Sequence, residues 1–389
     1  MRVALFHDFL VRMGGAEKVL HTFSELFPDS PIYTFFYDKE KVEREYPGLS
    51  ARIIPHPGAQ RMYNIIKHIP IVKKYSTKIF IRSFPKYIEE INVNAYELVI
   101  ASSTAWAHGL ITGSNTSFVC YMHSPMRFVW DWFNEYKKSL GAVKNKSFRN
   151  IILTHVLSSV RMWDQVALKK ESLILTNAKT VQKRVEKYYH RFDSHVLYPP
   201  VEVELIQAPK SSDIDHEDYF LIVSNLVEFK RIDIAIELFN KTGKKLVILG
   251  DGPHRDQLES RAAKNIEFLG YKNDEVKFEY LKNARALILS TEEDFGIVPI
   301  EAHAAGKPVL ALAKGGAREY IIPGVNGEFF YEQTLESMEK GLAHLLMNED
   351  KYNALTIRSH AEKFSTQNFI KNFKHILKTE LGIEITQNK

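Results

Sequence analysis

Short apolar runs alternate with helix-patterned segments along almost the whole chain, and this alternation limits the fold more than any other feature. Residues 3–6, 32–35, 98–101, 118–121, 173–176 and 195–197 read as strands of a first half. Residues 219–224, 245–249, 266–268, 286–289, 309–312 and 328–330 read as strands of a second. The stretches between them carry helical spacing, as in Glu17, Val19, Leu20, Phe23 and Leu26. Strands separated by helices form parallel sheets with helices on both faces. Pro199 and Pro200 interrupt the pattern, because neither continues a strand or a helix, and mark a linker. At 389 residues the chain suits two domains, read as 1–199 and 200–364. Final helices run from about 333 to 380. The stretch 126–150 is aromatic and basic, and its pattern assigns no element.

Composition narrows the class. With 45% hydrophobic and 25% charged residues this is an ordinary globular chain. No apolar run reaches the roughly 18 residues of a spanning helix. Residues 1–8 run straight into a strand without a signal-peptide pattern. Cys120 is the single cysteine, in a strand, so disulfides within the chain and cysteine-rich zinc sites are excluded and a cytoplasmic location is expected. The net charge of +5 is uneven, with the cations concentrated in the first half. Between Glu45 and Glu89 stand Arg52, Arg61, Lys67, Lys73, Lys74, Lys78, Arg82 and Lys86 with no acid. Tyr63, Ile65, Ile66, Ile69, Ile71, Val72, Ile79, Phe80, Ile81 and Phe84 are interleaved with them. A basic segment with an apolar face is expected at an anionic membrane surface. A solvated amphipathic helix pair and a nucleic-acid patch are the other readings, and no nucleic-acid motif accompanies the segment.

The richest motif lies in the second half. Glu293-Asp294-Phe295-Gly296-Ile297-Val298-Pro299-Ile300-Glu301 follows the strand 286–289. Gly296 and Pro299 punctuate a turn, and residues 300–305 begin a helix. Glu293 thus sits at the carboxyl end of a strand and Glu301 on the next helix, beside the crevice where open α/β sheets bind ligands. The amides of Phe295, Gly296 and Ile297 are donors suited to an anionic or oxygen-rich ligand. Gly14 and Gly15 follow the first strand and open a helix, where backbone amides can approach a phosphate. Lys230 and Arg231 follow the strand 219–224, and Gly250-Asp251-Gly252-Pro253 follows the strand 245–249. His123, after the strand 118–121, is a candidate sugar contact.

The stretch 293–301 resembles the E-x7-E motif of retaining glycosyltransferases of family 4, which have the GT-B fold. Ala302-His303-Ala304-Ala305-Gly306-Lys307-Pro308, Gly315-Gly316-Ala317-Arg318-Glu319 and Gly324-Val325-Asn326-Gly327 extend the resemblance. It implies an α/β protein of two Rossmann-like domains with parallel sheets facing across a cleft. The acceptor would bind mainly to 1–199 and the sugar nucleotide mainly to 200–364, with a final helix of about 365–389 packing back on the first domain. Phe364, Phe369, Phe373 and Leu377 are that helix's expected packing face.

The same resemblance implies roles. Glu301 would bind the ribose, and Glu293 the donor sugar. His123 would lie near the transferred sugar, and Lys230 would neutralise the diphosphate. Asn225 stands where the family has an arginine, and only Arg231, if turned inward, restores the charge. Gly250 lies near the nucleotide, Tyr271 is in the loop that holds the base, and Gly14 and Gly15 approach the diphosphate. No metal or cofactor is required beyond the donor. The run 123–131, with 293–296, resembles bacterial mannosyltransferases of surface polysaccharides, which points to GDP-mannose and a lipid-linked or nascent polysaccharide acceptor. A UDP-sugar donor and a non-catalytic sugar-nucleotide or membrane-surface binding protein are the alternatives. The chain lacks the zincin H-E-x-x-H, the G-x-G-x-x-G of a dehydrogenase and an identifiable cofactor lysine of a phosphorylase.

Overall fold

A computed structural model describes residues 1–67, 81–139, 148–168, 172–212 and 216–385. The chain divides into two compact units, Met1–Leu197 with Asn372–Lys389, and Tyr198–Lys371.

The first unit holds β1 (Val3–Leu10), β2 (Ile32–Tyr37), β3 (Ile53–Pro55), β4 (Leu98–Ser103), β5 (Ser117–Met122), β6 (Leu173–Thr176) and β7 (His195–Val196). They form a seven-stranded sheet in the order β3-β2-β1-β4-β5-β6-β7, with every ladder parallel. β4 is buried along its whole length, and such strands read as unbroken apolar runs. β3 is an addition to the expected strands. It is an edge strand of three residues ending in a proline, which an edge position tolerates.

Strand order reverses between β1 and β4, so the loops leaving their carboxyl ends diverge. Asp8, fully buried on β1, closes the lower part of this gap. Its carboxylate accepts the amides of Thr104, Ala105, Trp106 and Ala107 at 2.6 to 3.0 Å and the Thr104 hydroxyl at 2.8 Å. Of the aromatic stretch that the pattern left unassigned, residues 126–139 form turns and then the helix Phe133–Ser139, and residues 140–147 lie outside the described residues. Its Trp130 indole donates to Asp164 at 2.7 Å. Asp164, on the helix Phe148–Ala167, also accepts the Tyr189 hydroxyl at 3.0 Å and lies 3.1 Å from His108. Asp131 is held by the Tyr188 hydroxyl and by Arg184 at 3.3 Å. Part of the run 123–131 therefore serves packing.

The second unit holds β8 (Phe220–Val223), β9 (Leu246–Leu249), β10 (Ile266–Gly270), β11 (Ala286–Leu289), β12 (Val309–Leu312) and β13 (Gly327–Phe330). Their order is β10-β9-β8-β11-β12-β13, again parallel throughout. Phe220, Ile222, Phe239, Leu246, Ile248, Ile288, Leu310 and Phe330 centre its core. Here the order reverses between β8 and β11.

Thr366–Leu381 is the last described helix, and Phe369, Phe373 and Leu377 on it are buried. Phe373 meets Phe23 of the helix Gly15–Leu26 with ring centres 4.9 Å apart. Phe364 precedes the helix and belongs elsewhere: its ring packs on Tyr198 and Phe295 in the second unit.

The basic segment is partly internal. Arg52 donates to the carbonyls of Ser24, Phe27 and Pro28, where it closes the C-terminal end of the helix Gly15–Leu26. Ile66, Ile81 and Phe84 are buried, and Tyr63 stacks on Phe36. Arg61, Ile65, Lys67, Arg82 and Lys86 are exposed. Lys73, Lys74, Lys78, Ile69, Ile71, Val72, Ile79 and Phe80 lie outside the described residues. Among the described residues no helix is long and apolar enough to cross a membrane.

Candidate active site

The second unit gathers most of the candidate residues around the reversal between β8 and β11. The chain leaving β8 turns through Glu228–Lys230, and Arg231 follows in the left-handed region at φ 50°. Two hydroxyls at the end of β11 pin this turn: Ser290 donates to the Lys230 carbonyl at 2.7 Å and Thr291 to the Phe229 carbonyl at 2.9 Å. The Lys230 ammonium is thereby brought onto the Glu293 carboxylate, and the two are ion-paired. Both are partly exposed, at 15% and 26%, so the pair is open to a ligand.

The loop after Glu293 is anchored from below. Phe295 is buried against Tyr198, Tyr320 and Phe364, and its carbonyl accepts the Tyr320 hydroxyl at 2.9 Å. The Gly316 amide donates to the Glu293 carbonyl at 2.9 Å. Gly315 has φ 61°, and a Cβ there would lie 2.0 Å from the same carbonyl oxygen, so only glycine fits. The amides of Phe295, Gly296 and Ile297 donate to no described residue. They stand at the start of the helix Ile297–Ala304, where the dipole favours negative charge.

Glu301 is on that helix and only 2% exposed. Its Oε1 accepts the Lys277 ammonium at 2.7 Å, and the same ammonium reaches Asp274 at 2.9 Å. Lys277 was not singled out from the sequence. Its only signal is a lysine on the buried side of the helix Asp274–Asn283, four residues before buried Leu281.

The remaining donor-side candidates line the neighbouring loops. Gly250 has φ 133°, and a Cβ would overlap the Ser224 carbonyl oxygen at 1.8 Å. Its amide donates to Gly270 at 2.9 Å, and Leu226 bonds to Asp251 at 3.0 Å. The loops after β8, β9 and β10 are thus stitched together. Asn225 is exposed on this rim, and Tyr271 is 57% exposed. The Arg231 guanidinium pairs with Asp233 at 3.2 Å.

Gly14, Gly15 and His123 belong to the first unit. Gly14 is extended rather than left-handed. Its amide, expected to face a phosphate, is taken by Glu17 Oε2 at 3.0 Å, which caps the helix Gly15–Leu26. His123 follows β5 and bonds to Ser102 Oγ at 2.8 Å. Burial, reinforced by His7, lowers its pKa to about 3, so the ring is neutral. Ser102 and His7 were not singled out from the sequence.

Residues 206–361 match the family model of glycosyl transferases group 1. An uncharacterised glycosyltransferase of Methanocaldococcus jannaschii is 34% identical over 142 residues, covering 34% of this chain and 36% of the relative. A poly(glycerol-phosphate) alpha-glucosyltransferase of Bacillus subtilis is 25% identical over 228 residues, 55% of this chain and 33% of the relative. The chain thus spans about a third of the length of these relatives. Among solved structures, HepE of Anabaena in complex with UDP superposes with a TM-score of 0.69 at 17% identity, covering 97% of this chain and 100% of HepE. The fold is that of GT-B glycosyltransferases: two Rossmann-like units with parallel sheets.

Proposed function

We propose that the protein is a retaining glycosyltransferase that moves mannose from GDP-mannose to a lipid-linked or nascent polysaccharide acceptor. The observation that carries the reading is the Lys230–Glu293 pair at the strand-order reversal, beside three unengaged amides. A cation for a diphosphate and a carboxylate for a sugar stand in contact there, each neutralising the other until the donor separates them.

In this scheme the donor lies on the second unit. Glu301 binds the ribose hydroxyls, and the loops carrying Asn225, Gly250 and Tyr271 flank the nucleotide. Lys230 and the amides of Phe295, Gly296 and Ile297 turn to the diphosphate. Negative charge grows on the leaving phosphate as the glycosidic bond breaks, and preorganised donors of this kind stabilise it. Glu293 holds sugar hydroxyls and stabilises positive charge on the ring. His123 contacts a hydroxyl of the substrate. The acceptor attacks from the face the phosphate leaves, and that phosphate takes the acceptor's proton. No metal is required.

The resemblance of the run 123–131, with 293–296, to bacterial mannosyltransferases favours mannose and guanine. A UDP-sugar donor is the second reading, favoured by the fold match to a UDP complex. Thermal shift with GDP-, UDP- and ADP-sugars, followed by transfer from the radiolabelled donor that binds, decides between them. Stabilisation by GDP-mannose with label transfer supports the first. Stabilisation by a UDP-sugar alone replaces it with the second. Binding with neither transfer nor hydrolysis would make the chain a sugar-nucleotide binding protein.

A further inference from the structure

We infer that Glu17, His7 and Ser102 are positioning residues that hold His123 in the Nε2–H tautomer, so that its Nδ1 faces the substrate as a hydrogen-bond acceptor. The inference rests on the reading that His123 contacts a substrate hydroxyl, and deepens it by stating which partner donates.

The chain of contacts crosses three neighbouring strands of the first unit. His7 on β1 is 1% exposed and places Nε2 3.6 Å from Glu17 Oε1. Its Nδ1 lies 3.0 Å from Ser102 Oγ on β4. The same Oγ lies 2.8 Å from His123 Nε2, just past β5. Glu17 is 13% exposed, and its other oxygen holds the Gly14 amide at 3.0 Å.

Proton counting sets the direction of the chain. Glu17 Oε1, at 3.6 Å, lies beyond hydrogen-bond range of His7 Nε2, but its negative charge favours the neutral His7 tautomer that carries its proton there. In a neutral imidazole the other nitrogen is then an acceptor. His7 Nδ1 therefore receives the one proton of the Ser102 hydroxyl. Ser102 Oγ has only lone pairs left for His123, so His123 Nε2 must be the donor. A neutral His123 then has a bare Nδ1, and no described residue bonds to it. The reverse direction would turn the lone pair of His7 Nε2 toward the Glu17 carboxylate, which its charge disfavours. A bare nitrogen recognises a group that carries a proton, here a hydroxyl, and offers nothing to an ether or phosphate oxygen.

Glu17→Gln is the informative change, because it keeps the size of the side chain but supplies an N–H. An amide donating to His7 Nε2 reverses every bond in the chain and leaves His123 with its proton on Nδ1. Nitrogen-15 NMR of the histidine rings at about pH 8 reads this directly, with His123→Asn assigning the signal. We expect an Nε2–H His123 in the wild type, an Nδ1–H His123 in Glu17→Gln and a mixture in Ser102→Ala, which cuts the chain. Melting curves like the wild type show that the variants fold. Glu17→Gln should also slow sugar transfer roughly tenfold, the scale of one lost hydrogen bond, with the affinity for free nucleotide unchanged. An Nδ1–H ring in the wild type, or no reversal in a folded Glu17→Gln, overturns the relay. A reversal without loss of transfer overturns instead the placement of His123 at the substrate.

Discussion

Glu301 and Lys277 pose the sharpest question at the scale of single residues, because a carboxylate proposed to bind ribose is already engaged by a buried lysine. Removing one member of a buried ion pair costs about 3–5 kcal/mol, whereas replacing both is often nearly neutral. Glu301→Gln is therefore expected to lower the melting temperature as well as weaken nucleotide binding. Lys277→Met with Glu301→Gln should recover the melting temperature and leave binding at least about tenfold weak, since a charged hydrogen bond contributes roughly 1.5–3 kcal/mol. Calorimetry on the double variant separates the two effects, and full affinity there would remove Glu301 from the site. Glu293→Gln should behave differently. Its proposed partner is the sugar, so turnover falls far more than nucleotide affinity. Weakened nucleotide binding with turnover of bound donor intact would exchange the roles of the two glutamates. Glu293, Lys230 and Glu301 were legible because they stand at strand ends and in a recognisable spacing. Lys277, Ser290, Thr291, His7 and Ser102 were not, since their partners lie far off in sequence: 24 positions separate Lys277 from Glu301, and 95 separate His7 from Ser102.

Elements explain why the site holds its shape. The Glu293 loop lies against backbone at Gly315, where a Cβ would come within 2.0 Å of the Glu293 carbonyl oxygen. Gly315→Ala must distort one of the two chains. It is expected to destabilise by about 1–3 kcal/mol and to lower turnover through displaced Glu293. A variant that melts like the wild type with full activity would show the loop to be dispensable. The helix Ile297–Ala304 carries a second signature. His303 is 1% exposed, and its Nε2 donates to the Asn326 carbonyl at 3.0 Å. Burial holds its pKa down at about 3, against an ordinary 6.5. The unfolded chain takes up that proton first as pH falls. The stability from a neutral His303 is thus complete above the ordinary value and lost between there and the folded one, by about 1.4 kcal/mol per pH unit. His303→Gln keeps an N–H donor but does not titrate. Urea unfolding at about pH 7 and pH 5 should show a smaller acid loss in the variant, and an equal loss would mean that His303 is already charged in the fold. The inner strands could be read from sequence because two covered faces make a strand continuously apolar. The edge strand Ile53–Pro55 lacked that signal. The stretch 126–139 lacked it too, because its order comes from Trp130 and Asp131 reaching partners on distant helices.

At the scale of the whole molecule, a chain of net charge +5 carries its excess cations in the first half, the part proposed to meet the acceptor. A lipid-linked acceptor is confined to a membrane surface, and a cationic face on the first unit would bring the protein there. The structure sharpens which residues to test. Arg52 closes a helix end and Lys86 lies 3.5 Å from Glu90, so neither is a clean probe. Arg61, Lys67 and Arg82 are exposed, with Ile65 61% exposed among them. Each cation at an anionic surface contributes about 1 kcal/mol. Changing all three to glutamine should then weaken docking by about 3 kcal/mol, more than a hundredfold, while transfer to a soluble acceptor analogue stays unchanged. Ile65→Ser should weaken docking further and less dependently on salt, since it removes apolar contact rather than charge. Salt should weaken the wild-type interaction, because the Debye length falls from about 10 Å at 0.1 M to about 3 Å at 1 M. Sedimentation with vesicles containing anionic lipid, against neutral vesicles, measures each effect. Equal binding by the wild type and the triple variant would make these side chains an ordinary solvated face, and a soluble glycan would then replace the lipid-linked acceptor.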